Sequence, residues 1–358
     1  MTRARDIASA TTPNANAALL ATFPHKNFII NGDMQCWQRT TAATAANGGY
    51  ATVDRFGMGN GTDGAYTTER SSDTPIGTGY SLKAQVTTAD TSIAAAQYAY
   101  MYQEIEAQNL QPLQYGTSSA KTFTVSFWVK SNKTGTYTFA LYKQDATSYI
   151  IPIEYTISSA NTWEKKTITI TPTAGSTSFI TASAGAIAND NGLGFQIGFG
   201  LAWGSNYHGT NNTWSSNSSH YGTSNQVNWM DSTSNNFYLS QVQLEIGDAA
   251  TPFQHEDFGT TLVRCQRYFT DFLLSANNYM WCAVVTNTNT YRRASVTLPV
   301  QMRASATGII TAVTNGTFGG SYPLLEGNNK VQEVNIGGDV TATSAYAYFT
   351  KLQLDAEL

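Results

Sequence analysis

Charge is what this chain has least of: Asp, Glu, Lys and Arg make up 12% of its 358 residues, about half of the roughly 25% usual for a soluble protein. The 20 basic residues form no stripe, and the formal net charge is -4. Binding by counterion release needs a basic footprint, so no nucleic-acid partner is expected. Cysteine is nearly absent. Cys36, Cys265 and Cys282 are odd in number and widely spaced, which excludes a disulfide framework and a short-spaced zinc motif and makes them core thiols. No apolar run approaches the ~20 residues of a membrane helix, so no membrane insertion is expected. The opening MTRARDIASATTPNANAALL has no compact apolar signal core, and the chain reads as made in a cytoplasm and not exported by that route.

What fills the space left by charge is Thr, Ser, Asn and Gly, together with 12% aromatic residues, among them 20 Tyr and 7 Trp. Such a composition suits extended strands and surfaces that stack on sugars or on neighbouring subunits. The length allows two domains, or one large sandwich with additions.

Residues 1–26 open on Arg3-Ala4-Arg5-Asp6 and pass into Ala, Thr and Asn. Too little apolar surface is present for a core, so this is an arm that orders against something else, with Arg3, Arg5 and Asp6 as candidate docking residues. From Phe28 the strand signals become regular. Leu82, Ala84 and Val86 alternate with polar residues, and Phe123, Val125, Phe127 and Val129 mark a strand with one apolar face. Tyr98, Tyr100 and Tyr102 share a face with Glu104 and Glu106, and Pro152 places its strand at a sheet edge. Phe195, Ile197, Phe199, Leu201 and Trp203 predict a long strand with a single apolar face. Gly57-Met58-Gly59-Asn60-Gly61 reads as a turn, as does Asn31-Gly32-Asp33, and Trp37 as a core anchor.

Alternation stops at Gly247-Asp248-Ala249-Ala250-Thr251-Pro252. Helical spacing of Leu262, Cys265, Gln266 and Phe269 then predicts a helix over 260–272, capped by Thr260 or Thr261. Met280 to Val285, Ala294 to Leu298, Gly308 to Val313, Val331 to Ile336 and Tyr346 to Leu354 read as the strands of a second, smaller β-domain.

Three stretches recur in order: NFIINGDM at 27–34, FTVSFWVK at 123–130 and FYLSQVQLE at 237–245. They resemble jelly-roll carbohydrate-binding modules. NGDMQCWQR, VDRF, SFWVK, VQLEIGDAATPF and RCQRYF are more closely similar to bacteriophage virion proteins, tail fibres or decoration proteins, that use such a jelly roll; the likeness covers roughly 27–270. It implies an oligomeric virion structural protein whose jelly roll contacts host-surface glycan. It also implies a structural calcium near the junction of first and last strands, with Asp33 and Glu245 as oxygen ligands. The expected fold is all-β: a docking arm (1–26), an antiparallel jelly-roll β-sandwich (27–258), then a linker helix and C-terminal β-domain (259–358).

The most unusual stretch is 201–231, about 30 residues between two clear strands, a length that is usually functional or disordered. Trp203, Tyr207, Trp214, Tyr221 and Trp229 stand there among Asn and Ser, a mixture able to stack on sugar rings and hydrogen-bond their hydroxyls. The same aromatics would also serve as packing anchors within the sandwich or on a neighbouring subunit. Glu104 and Glu106, two apart on a strand, sit at about the carboxylate separation that glycosidases use, but no second strand offers a partner. His25, His208, His220 and His255 fall in loops without a nucleophile elbow or a metal spacing. The expectation is therefore a non-enzymatic phage-particle protein without cofactor, located in the virion, docked to other virion proteins through its arm and assembled as a homo-oligomer, with a trimer favoured by analogy with fibres. The alternative is a receptor-binding or depolymerising protein acting on host polysaccharide.

Overall fold

A computed structural model describes residues 27–45, 48–273, 280–281, 291–313, 324–326, 333–339 and 348–358. Among them, 27–35 with 40–256 form one compact unit, and 36–39 with 257–358 a second. Arg3, Arg5, Asp6, His25 and Cys282 lie outside the described residues.

The first unit is an antiparallel β-sandwich of eleven strands. One sheet holds β1 (Thr44–Ala45), β3 (Ala65–Ser71), β4 (Ser81–Thr88), β11 (Asn236–Ile246), β6 (Phe123–Ser131) and β9 (Glu164–Ile170), in that spatial order. The other holds β2 (Gly57–Asn60), β5 (Tyr98–Glu106), β10 (Leu193–Trp203), β7 (Gly135–Lys143) and β8 (Tyr149–Ile157). Only β3–β4 and β7–β8 are hairpins within a sheet; every other connection crosses between sheets, the jelly-roll habit. Period-two alternation drives the layering. Phe123, Val125, Phe127 and Val129 are all fully buried, each worth about 1.5–3 kcal/mol of transfer free energy. Phe127 meets Phe139, Phe199 and Tyr155 of the facing sheet with ring centroids 5.0–6.2 Å apart.

The opening stretch is not itself a strand but completes one. β4 pairs with β11 only over 236–239. Beyond the irregularity at Gln241, whose φ is 50°, 27–32 takes the vacated edge: Phe28 N–H donates to Leu244 O and Val242 N–H to Gly32 O. Asn31-Gly32-Asp33 is the expected turn, and a Cβ on Gly32 would lie 2.1 Å from Val242 O. Trp37, by contrast, is half-buried and falls with the second unit, so it does not anchor the sandwich core.

Pro152 lies on the edge strand β8, as its missing N–H requires. That edge is covered by the long excursion. Ser215 exchanges both backbone hydrogen bonds with Ile150, Asn212 N–H donates to Pro152 O, and Asn211 Oδ1 accepts from Glu154 N–H.

In the second unit the helix α1 runs Phe258–Gln266, not 260–272. The cap is Asp257, whose carboxylate accepts from the N–H and the hydroxyl of Thr260. The chain after the helix is strand β12 (Phe269–Leu273), followed by β13 (Met280–Trp281), β14 (Tyr291–Thr297), β15 (Thr307–Val313), β16 (Leu324–Glu326), β17 (Glu333–Asp339) and β18 (Tyr348–Asp355). They form two antiparallel sheets, one gathered on β18 and one of β14, β17 and β16. Cys36 and Cys265 are buried thiols.

Candidate functional site

The outward side chains of β5 are Tyr98, Tyr100, Tyr102 and Glu104, while Ala99, Met101, Gln103 and Ile105 point into the core. Beside them runs β2, which the structure makes a strand instead of a turn: Gly57 is paired with Tyr102 and Gly59 with Tyr100. A Cβ on Gly57, Gly59 or Gly61 would strike the ring of Tyr102, Tyr100 or Tyr98 at 2.4, 2.3 and 2.8 Å. Three alternate glycines therefore form a floor on which three alternate tyrosines rest.

On the other flank lies β10, and here the sequence expectation is corrected. Phe195, Ile197 and Phe199 face the core, but a bulge at Leu201 shifts the register, and Trp203 pairs with Tyr98 on the outer face. One extra residue reverses every later side chain. The Trp203 indole N–H donates to Thr138 Oγ1 at 3.0 Å, Thr138 donates to Gln226 Oε1 at 2.6 Å, and His208 Nε2 donates to Trp203 O at 3.1 Å. With only 6% of its surface exposed, Trp203 is a hub. Its centroid lies 5.1 Å from Tyr100, 5.3 Å from Tyr221 and 5.5 Å from Tyr207. Tyr221 meets Tyr142 at 5.8 Å, and Tyr102 meets Tyr50 at 5.7 Å. The product is a continuous aromatic face of eight rings, of which the seven tyrosines are half-buried.

Two polar groups sit in its floor. Glu104 and Gln196 are each 8% exposed and paired across β5 and β10. Gln196 Nε2 donates to Glu104 Oε1 at 2.9 Å, and Tyr50 OH donates to Glu104 Oε2 at 3.2 Å. Gln196 Oε1 is buried and, among the described residues, has no donor, an arrangement that costs free energy. Burial pushes the phenol of Tyr102 up to about 12, with the Glu104 carboxylate adding to it, and lifts those of Tyr50, Tyr100 and Tyr221 well above the usual range. These hydroxyls stay neutral donors and acceptors near pH 7.

Of the five aromatics named from the excursion, the structure brings Trp203, Tyr207 and Tyr221 to this face. The other two are corrected to packing residues. Trp214 is 1% exposed, with its indole N–H on Thr171 O, and Trp229 is fully buried, with its N–H on Asn236 O and its ring against Tyr66. Neither has a ring face a sugar can reach. Tyr50, Tyr98, Tyr100, Tyr102, Tyr142 and Gln196 join the face from outside the excursion. The available signal was the pairing of G-x-G-x-G at 57–61 with Y-x-Y-x-Y at 98–102.

Catalytic geometries are poor. Glu106 is fully buried and accepts from Gln108. Glu154, on β8, stands three strands from Glu104, roughly 14 Å, beyond the roughly 5–9.5 Å of glycosidase pairs. Ser215, His220 and Asn217 look like a nucleophile relay but run the wrong way. Asn217 Oδ1 accepts from Ser219 N–H, so its Nδ2 donates to His220 Nε2 at 2.8 Å, and His220 Nδ1 carries the hydrogen that goes to Ser215 Oγ at 3.0 Å. An imidazole in that tautomer cannot take the serine proton. Both oxygens of Glu245 are engaged, by Gln243 Nε2 and by the N–H and hydroxyl of Thr251, while Asp33 faces His255 Nδ1 at 3.7 Å. The described residues hold no group of three or more His, Cys, Asp or Glu able to hold a metal ion.

Neither a family model nor a curated protein matches this chain. Solved structures similar to it include the enzymatically active domain of tailspike protein 4 of bacteriophage CBA120, at 12% identity and a TM-score of 0.30, with 63% of this chain and 22% of that one covered. The family 11 carbohydrate-binding module from Clostridium thermocellum, in complex with a beta-1,3-1,4-mixed-linked tetrasaccharide, is 13% identical with a TM-score of 0.28 over 55% of this chain and 91% of the module. TmCBM61 in complex with beta-1,4-galactotriose is 10% identical with a TM-score of 0.30 over 62% of this chain and all of that one. The chain thus spans about a fifth of the tailspike chain.

Proposed function

We propose that this chain is a non-enzymatic structural protein of a bacteriophage particle, tail fibre or decoration type, whose sandwich binds host-surface glycan through the outer face of the five-stranded sheet. One observation carries the glycan reading: eight aromatic rings, seven of them half-buried tyrosines, form one continuous outer face with the side chains of Glu104 and Gln196 in its floor. Sugars present apolar C–H faces ringed by hydroxyl donors, which is the chemistry this face leaves unmatched. The motifs at 27–34, 123–130 and 237–245 support the virion reading, and low charge with abundant aromatics supports assembly as a homo-oligomer, a trimer in this reading. Residues 1–26 are the segment proposed to dock on other virion proteins.

Affinity electrophoresis against host surface polysaccharide tests the site. Tyr100→Ala or Tyr102→Ala is expected to weaken binding about tenfold, equivalent to about 1.4 kcal/mol, in protein whose circular dichroism shows it still folded at the assay temperature. Retardation that survives the double variant would overturn the assignment of this face.

A further inference from the structure

We infer that this face selects neutral glycans and rejects those carrying carboxylates or sulfates, a specificity that rests on the glycan reading above. The two sheets of the sandwich differ sharply in cations. Strands β3, β4, β6 and β9 of the six-stranded sheet carry Arg70, Lys83, Lys130, Lys165 and Lys166. The five strands of the aromatic sheet carry Lys143 alone, and the excursion from 204 to 231 carries no Lys or Arg.

None of the basic groups around the face can meet a ligand. Lys143 points inward and is fully buried, its ammonium donating to the carbonyls of Asp145 and Thr147 in its own hairpin. Arg55 is 1% exposed and donates to the backbone carbonyl of Glu104, with its guanidinium 5.9 Å from the centre of the Tyr50 ring, so it is close to the face but closed off from a ligand. His208 is committed to Trp203 O, and His220 to Ser215 and Asn217. The acidic groups are Glu104, in the floor, and Glu154, held by Asn225 Nδ2 at 3.0 Å. Ala46 and Asn47, the undescribed residues nearest Tyr50 in sequence, are uncharged. Among the described residues, a sugar carboxylate on this face therefore finds aromatic rings, amides and Glu104, and no exposed counter-charge. Desolvating an anion without an exposed partner is costly.

The experiment compares a linear neutral β-glucan with the same polymer oxidised at C6 to its uronate, by titration calorimetry on the full chain at low salt. The neutral polymer is expected to bind at least tenfold tighter, with the ratio shrinking at high salt as screening sets in. Equal or tighter binding of the uronate overturns the charge selection and leaves the glycan reading standing. Binding of neither polymer overturns the glycan reading and this inference with it.

Discussion

Gln103 lies between the two sheets of the sandwich, 1% exposed, and uses its amide as a strand uses its backbone. Oε1 accepts from Ile30 N–H and Nε2 donates to Ile30 O, both at 2.9 Å. Backbone pairing with β11 fixes Phe28 and Gly32 on either side of Ile30, and Gln103 ties Ile30 itself to β5 of the facing sheet. Gln103→Leu leaves both Ile30 groups unpaired in the interior, and a loss of about 3 kcal/mol in denaturant unfolding is expected. A polar residue among core positions of a tyrosine-rich strand is visible in the sequence; that its partner sits 73 residues earlier is not.

Lys143 gives a second test at the same scale. Burial lowers its pKa to about 8 from 10.5. Below pH 8 the ammonium is charged in both the folded and the unfolded chain, and the folded state bears the full cost of burying it. Between about pH 8 and 10.5 the folded chain releases the proton first, so the unfolded chain binds more protons and stability rises with pH. Measured against Lys143→Met, which lacks this titration, the parent chain is expected to gain about 2–3 kcal/mol across that window. Parallel profiles for the two proteins would show that the ammonium is not penalised.

At the scale of elements, most strands were legible and the decisive irregularities were not. Alternation located β4 and β6 and the face that each buries, because a half-buried strand writes its period of two into the residues. It failed at β2, where Met58 is the only core side chain between glycines. The glycines serve the tyrosines of β5, a relation between strands about 40 residues apart that no local pattern records. It failed again at Leu201, since a bulge leaves the sequence looking periodic while turning Trp203 outward. The helix was found, but its end was misplaced because Phe269 keeps helical spacing while belonging to β12.

The excursion is an element in its own right, with two tasks: it presents Tyr207 and Tyr221 to the face, and it seals the edge of β8. Its length was visible in the sequence; that Trp214 and Trp229 are its buried anchors was not, because an anchor and a stacking residue have the same side chain. Replacing 205–227 by a short Gly/Ser turn uncovers the backbone of residues 150–154. Edge-to-edge association is then expected, seen as a rise in scattering intensity with concentration. A variant that stays monodisperse would show that the edge needs no cover.

For the whole molecule, scarcity of charge is unevenly shared: the aromatic sheet carries one buried lysine, and the opposite sheet carries five basic residues in its strands. Composition alone announced neutrality and aromatic richness, but it could not say that both fall on one face. Light scattering coupled to size exclusion is expected to return the mass of three chains; a single-chain mass would contradict the oligomer. The most direct test of the central claim is a crystal soaked with a neutral β-linked oligosaccharide. Sugar rings are expected over Tyr100 and Tyr102, on the outer face of the five-stranded sheet. Sugar bound on the six-stranded sheet, with Tyr100 and Tyr102 uncovered, would contradict this assignment.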